Sequence, residues 1–391
     1  MKPAIYMDNS ATTPVSAKAL EAMLPYFREK FGNPSAIHSY GTEASRAVEE
    51  SRKKVAKALG AMSSEIFFTS GGTESNNWAI RHAVLAGLGR GKHVISSGIE
   101  HSSVLRPLER LREKGYEIAL LKPDSLGRVS PAALEREIRK DTVLVSVIMA
   151  SNVMGTIQDI KALGEVSRAA GAIFHVDAVQ AAGHTPVNVR GLGVDLMSIS
   201  GHKFHGPKGV GALFSKIPRA PSPFIDGGGQ EKGARSGTEN VTGIVGLAAA
   251  LEEATNGMAS EAPRLAVARD RLIEGILAIP GTQLTGDPDN RLPGHASFVI
   301  EGIAHGAHLI NELNSMGLCA SSGSACSASS KEASHALEAI GLPGDLAMGG
   351  LRLSLSSQNT LEEANLALGI IARAIQRVRD LVAANYFSHS V

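Results

Sequence analysis

The chain has 391 residues, 43% of them hydrophobic and 20% charged, with a formal net charge of +1. That balance suits a globular enzyme with a large core and excludes a nucleic-acid or acidic-surface binder that works through bulk charge. Two cysteines are too few for a disulfide framework, and no stretch reaches the roughly 18 apolar residues of a membrane span. The N-terminal residues have no signal-peptide core, so a reducing cytoplasm is the expected location.

From residue 14 to about 260, helical and strand-like stretches alternate. Amphipathic patterns fall near 16–30, 41–60, 73–87, 102–114, 131–140 and 160–170. Apolar runs fall near 66–69, 93–97, 117–121, 143–149, 172–176, 195–199 and 210–214. Strands separated by helices of this length predict a mostly parallel sheet covered on both faces, with ligands at the carboxyl ends of the strands. After Gly227-Gly228-Gly229-Gln230 the texture changes. A helical region over 242–279 carries Pro263 and should break or kink there. Strand patterns at 296–301 and 350–355 follow, with helical patterns at 306–316, 331–340 and 360–385. The expected organisation is α/β. A large domain spans residues 14–260, and a smaller α+β domain is built from residues 1–13 and 261–391.

The chemistry concentrates in turns at the ends of the apolar runs. Lys203 sits in Gly201-His202-Lys203-Phe204-His205-Gly206, between two buried-strand patterns. A lysine that loses water there becomes available as an amine nucleophile, whereas a solvated turn lysine does not. Asp177 closes the run Ile173-Phe174-His175-Val176. A strand-end carboxylate with a strand-end lysine is the pair that pyridoxal phosphate requires, one for the ring nitrogen and one for the covalent link. Ser70-Gly71-Gly72-Thr73-Glu74 follows an apolar run and opens a helix. Gly72 lets the backbone approach a phosphate and Thr73 offers a hydroxyl, but ordinary helix capping uses the same residues.

His101 opens a helix and suits either a ring-stacking imidazole or a cap. Asn152 and Gln180 are strand-end amides that could reach a ring hydroxyl or simply satisfy a loop. Arg352, the one cation in the alternating Leu351-Arg352-Leu353-Ser354-Leu355, suits a carboxylate clamp or an ion pair. Cys326 lies in a Ser/Ala/Gly-rich segment, which favours an accessible thiol, whereas Cys319 reads as core.

These stretches, in this order and spacing, resemble the cysteine desulfurases of the NifS/IscS family, within the class V aminotransferase family and the fold type I pyridoxal phosphate enzymes. The resemblance runs over nearly the whole chain. It rests on Tyr6-Met7-Asp8-Asn9-Ser10-Ala11-Thr12-Thr13, Gly32-Asn33-Pro34-Ser35 with His38, the loop 70–77, Glu100-His101-Ser102-Ser103 and Val176-Asp177-Ala178-Val179-Gln180. It continues through 200–209, Gly227 to Glu231, Arg235-Ser236-Gly237-Thr238, Ser321 to Cys326, and 351–355. One departure is Ser151-Asn152-Val153, where much of the group has Asn-Asn-Glu.

The resemblance implies pyridoxal 5'-phosphate as cofactor and L-cysteine as substrate. Lys203 would carry the cofactor, Asp177 would pair with the ring nitrogen, and His101 would stack on the ring. Asn152 and Gln180 would lie near its hydroxyl. Gly72, Thr73, Ser200 and His202 would hold the phosphate. Thr238 would reach the phosphate of a neighbouring subunit, which implies a homodimer. Arg352, with Asn152, would hold the substrate carboxylate, and Cys326 would take the sulfur as a persulfide as L-alanine leaves. The acceptor implied is an iron–sulfur scaffold protein, with tRNA or cofactor thiolation as alternatives, and no membrane partner or direct nucleic-acid contact is expected. Rival readings are a selenocysteine lyase or an aminotransferase on the same scaffold, and a non-catalytic sulfur-relay subunit. The last is disfavoured because Lys203, Asp177, Arg352 and Cys326 are all intact.

Overall fold

A computed structural model describes residues 4–217, 222–323 and 334–388, with side chains described as far as residue 382. Twelve strands occur among them. In chain order they are β1 (Ile5–Tyr6), β2 (Ile66–Thr69), β3 (His93–Ser97), β4 (Glu117–Leu121), β5 (Thr142–Ile148) and β6 (Ile173–Asp177). They continue as β7 (Leu196–Ser200), β8 (Gly211–Ser215), β9 (Thr282–Leu284), β10 (His295–Ile300), β11 (Leu318–Cys319) and β12 (Gly350–Ser354).

Seven strands form the main sheet, in the order β2-β8-β7-β6-β5-β3-β4. Only β8 runs antiparallel to its neighbours, so the sheet is mostly parallel as the sequence predicts. The inner strand β5 is buried along its full length, which is why it reads as the unbroken apolar run Val143-Leu144-Val145 rather than an alternation. Each predicted strand of this region lies within a residue or two of an observed one. The predicted helix over 16–30 is two, Ala17–Met23 and Pro25–Arg28. Pro25 has no N–H for the preceding turn and instead starts the second helix.

A second, three-stranded antiparallel sheet has the order β12-β10-β9. Its core, with Phe298, Leu309, Leu351, Leu353 and Ile371, is separate from the core of the main sheet and includes Met7 from the N-terminal segment. One helix, Val241–Leu277, serves both cores: Leu247 and Leu251 pack in the first, Leu265 and Leu272 in the second. The expected break at Pro263 does not occur, and the helix is continuous through it. Pro263 lies on an exposed stretch, where water can take the carbonyl that the missing N–H would have bonded. No helix among the described residues is long and apolar enough to cross a membrane.

Candidate active site

Because β2, β3, β5, β6 and β7 all run the same way, their carboxyl ends share one edge of the sheet. Asp177 ends β6 and Ser200 ends β7, with Asp177 opposite Ser198. Asp177 is fully buried. Its two donors are neutral: Asn76 Nδ2 at 2.7 Å on Oδ2 and the Val179 N–H at 3.0 Å on Oδ1. Burial pushes its carboxyl pKa up, opposed by those hydrogen bonds and by the charges of His101 and Lys203. A carboxylate so placed fits a cationic ring nitrogen.

Asn76 also donates to Ser103 Oγ at 2.8 Å, and that hydroxyl lies 2.8 Å from His101 Nδ1. His101 caps the helix Ser102–Glu113, its Nδ1 accepting the Ser103 N–H at 3.1 Å. Of the two readings of His101, the structure shows the cap, with Nδ1 as the acceptor. Burial holds its pKa below the usual imidazole range.

Lys203 follows β7 in the turn Gly201–Lys203. Its Nζ donates to the carbonyls of Ser10 at 2.6 Å and Ala11 at 2.8 Å, and its own carbonyl lies 2.8 Å from His184 Nε2. Gln180 donates to the same Ser10 carbonyl at 2.9 Å, so its amide hydrogen bond goes to the N-terminal segment. His202 Nδ1 is 3.2 Å from Thr12 Oγ1. Burial first, then the charges of Lys203 and Lys208, push His202 down to about 4.

The helix Gly72–Ala86 starts directly beside Ser200 and Val179. A Cβ on Gly72 would sit 2.6 Å from Val179 Cγ2, and Gly71 has φ +149°, so both positions require glycine for the helix end to come this close. Thr73 is exposed in the first helical turn. The glycines, Ser200 and the N-terminal N–H groups make a cradle suited to a phosphate.

Arg352 lies in β12 and is 1% exposed. Its Nη2 donates to Asp8 Oδ1 at 2.7 Å and its Nη1 to the backbone carbonyl of Asn152 at 2.8 Å. Its Nε is buried without a partner among the described residues. Of the two readings of Arg352, the structure shows the ion pair, with Asp8. Thr238 is exposed, on a loop anchored by the Arg235–Glu74 pair at 2.9 Å. Cys326 lies outside the described residues. The chain beyond it packs against the His101 loop through His335 Nε2, 2.9 Å from the Glu100 carbonyl. Cys319 is half-buried on the short strand β11 rather than in the core.

Sequence reasoning from residue chemistry missed four contributors. Asp8 to Thr13 forms a strap that reaches Arg352, Lys203 and His202. Its only sequence signal is a run of short polar residues without helix or strand period. Asn76 lies one helical turn beyond Gly72, a spacing that puts it on the same face. Ser103 and Glu100 flank His101. A cavity of about 330 Å³ adjoins the strap, and its wall includes Asn9, Ser10, Gln180 and His184 but none of His101, Asp177, Lys203 or Arg352.

The aminotransferase class-V profile matches residues 5–366. The chain is 48% identical over 378 residues to "Cysteine desulfurase IscS" of Methanosarcina thermophila, covering 97% of this chain and 93% of that protein. It is 46% identical to the "Cysteine desulfurase IscS" of Dictyoglomus turgidum, covering 97% of each. A solved "NIFS-like protein" superposes with a TM-score of 0.89 at 37% identity, over 95% of this chain and 99% of that one.

Proposed function

Because this chain belongs to the aminotransferase class-V family and is a pyridoxal-phosphate-dependent cysteine desulfurase, we propose a division of labour among its residues. Residues 14–260 form the cofactor-binding domain, and residues 1–13 and 261–391 the small domain. Gly72, Thr73, Ser200 and His202 would hold the cofactor phosphate. Asp177 would hold the ring nitrogen as a cation, and His101 would face the ring. Asn152 and Gln180 would serve the ring hydroxyl, and Lys203 would be the attachment point. When bound, the cofactor supplies an electron-withdrawing ring that stabilises negative charge at the substrate Cα.

Arg352 fixes the carboxylate of L-cysteine, which aims the Cα proton at the amine of Lys203. The Lys203 amine would take that proton. The Cys326 thiolate then attacks the substrate sulfur. An S–S bond forms and the Cβ–S bond breaks; its electron pair stays on Cβ, which takes up a proton, Lys203 returns its proton to the carbon skeleton, and L-alanine leaves. Ser10 and Ala11 offer the Lys203 amine two carbonyl acceptors between proton transfers. The protein acts as a cytoplasmic homodimer in which Thr238 completes the partner's phosphate site, and an iron–sulfur scaffold protein receives the sulfur.

The observation that carries this reading is Asp177: a fully buried carboxylate that accepts from Asn76 Nδ2 and the Val179 N–H, both neutral, on the strand next to the one that leads into Lys203. The test is to give the purified holoenzyme L-cysteine and assay alanine and protein persulfide together. We expect equimolar products in the first turnover, with the label on Cys326. Cys326→Ser should keep the cofactor spectrum and form no persulfide. Undiminished turnover of free L-cysteine by Cys326→Ser would remove that residue from the mechanism.

A further inference from the structure

The strap from Asp8 to Thr13 is pinned to the strand that carries Arg352. Asp8 pairs with Ser354 in a short bridge, the Asn9 N–H and Nδ2 both donate to the Ser354 carbonyl, and the Ser10 N–H donates to Ser354 Oγ at 2.8 Å. At its other end the strap takes Lys203 Nζ on two carbonyls. One short segment therefore sets the position of the carboxylate clamp relative to the amine that works on Cα.

Within that strap Asp8 alone touches the clamp with a charge. A guanidinium buried as Arg352 is needs fixed partners, since its planar donors are useful only in one orientation. Two of its three nitrogens have them: Nη2 on Asp8 and Nη1 on the Asn152 carbonyl. Nε has none among the described residues. A buried donor without an acceptor is costly, and a carboxylate oxygen would relieve it.

We infer that Asp8 is a positioning residue for substrate recognition: by holding Nη2, it turns Arg352 so that Nε is the donor offered to the carboxylate of L-cysteine. The inference rests on the proposed role of Arg352 as the carboxylate clamp. The Asp8 carbonyl is itself held by Tyr6 Oη at 3.0 Å, which steadies the backbone from which its side chain projects.

The experiment is steady-state kinetics of the holoenzyme with L-cysteine, comparing Asp8→Ala, Asp8→Asn and Arg352→Ala, with the thermal midpoint of each as a control. Asp8→Ala should raise KM by about tenfold, the size of one charge-assisted hydrogen bond, with kcat within about threefold of wild type. Asp8→Asn keeps the acceptor oxygen and should bring KM back to within about threefold. A KM unchanged or lowered in Asp8→Ala overturns the inference. So does a loss confined to kcat, or an Asp8→Asn variant as impaired as Asp8→Ala at an unchanged midpoint. Arg352→Ala separates the two levels. If its KM does not move, the clamp role fails. If it rises while Asp8→Ala stays at wild type, the clamp stands and only the role of Asp8 fails.

Discussion

Asp177 and Arg352 are both buried charged groups at the proposed site, yet the protein treats them oppositely. Asp177 is held by two neutral donors, and burial raises its pKa. Arg352 is held by a carboxylate of its own chain. The difference follows from what each is proposed to meet. A resident cofactor can be the permanent counter-charge of a carboxylate, so no protein cation is needed there. A substrate is absent between turnovers, and a buried guanidinium left alone in that interval would be severely penalised, so the fold supplies Asp8.

The sharpest way to break this comparison is Asp177→Asn. It keeps volume and the acceptor for Asn76 but removes the charge that holds the ring nitrogen as a cation. Turnover of the holoenzyme should fall by on the order of 10²- to 10³-fold, as when a preorganised electrostatic partner is lost. The cofactor-free protein should keep its thermal midpoint or gain a little, because a buried charge has been removed. A cofactor-free protein that is instead strongly destabilised would mean that Asp177 is paired within the fold, and the contrast with Arg352 would vanish.

Arg352→Lys tests the other half and should have a smaller effect. An ammonium can satisfy Asp8 or the substrate carboxylate, but it lacks the planar fork that serves both at once. KM for L-cysteine should rise by about 10- to 100-fold, with a lesser change in kcat. An unchanged KM would show that charge alone, without fixed geometry, recognises the carboxylate.

Much of the main sheet was legible because its strands are buried on both faces and bounded by helices, so each appears as an uninterrupted apolar run. The short strands β1, β9 and β11 were not legible. Two or three residues carry no period, and β1 exists only because Ile5 and Tyr6 pair with Leu318 and Cys319, more than 300 positions away. The site divides the same way. Lys203, Asp177 and His101 stood out because charged or polar residues at strand ends are conspicuous in a single sequence. Asp8 and Asn76 did not, because their roles depend on what the fold brings to them. Asp8 meets Arg352 across 344 positions and Asn76 meets Asp177 across 101.

Glu100 sharpens the comparison with the smallest effect. It stands with Asp177: a fully buried carboxyl whose described partners are neutral. Its Oε1 takes the Ile148 N–H at 2.9 Å and the Ser97 hydroxyl, and Oε2 is buried without a partner among the described residues. It thereby ties the end of β3, which leads to His101, to the end of β5, which leads to Asn152. Burial raises its pKa from 4.5 to about 8. Between those values the unfolded chain has lost the proton while the folded protein keeps it. The unfolded state therefore binds fewer protons, and the contribution of Glu100 to stability falls as pH rises through that window. Glu100→Gln carries no ionisable group there and should lack this slope. The midpoint of Glu100→Gln minus that of wild type should accordingly grow from about pH 5 to about pH 8, by on the order of a few degrees. A difference that stays flat across that range would mean that Glu100 is ionised in the fold and held by a cation, as Asp8 is held by Arg352. Glu100 would then belong with the clamp rather than with the cofactor socket.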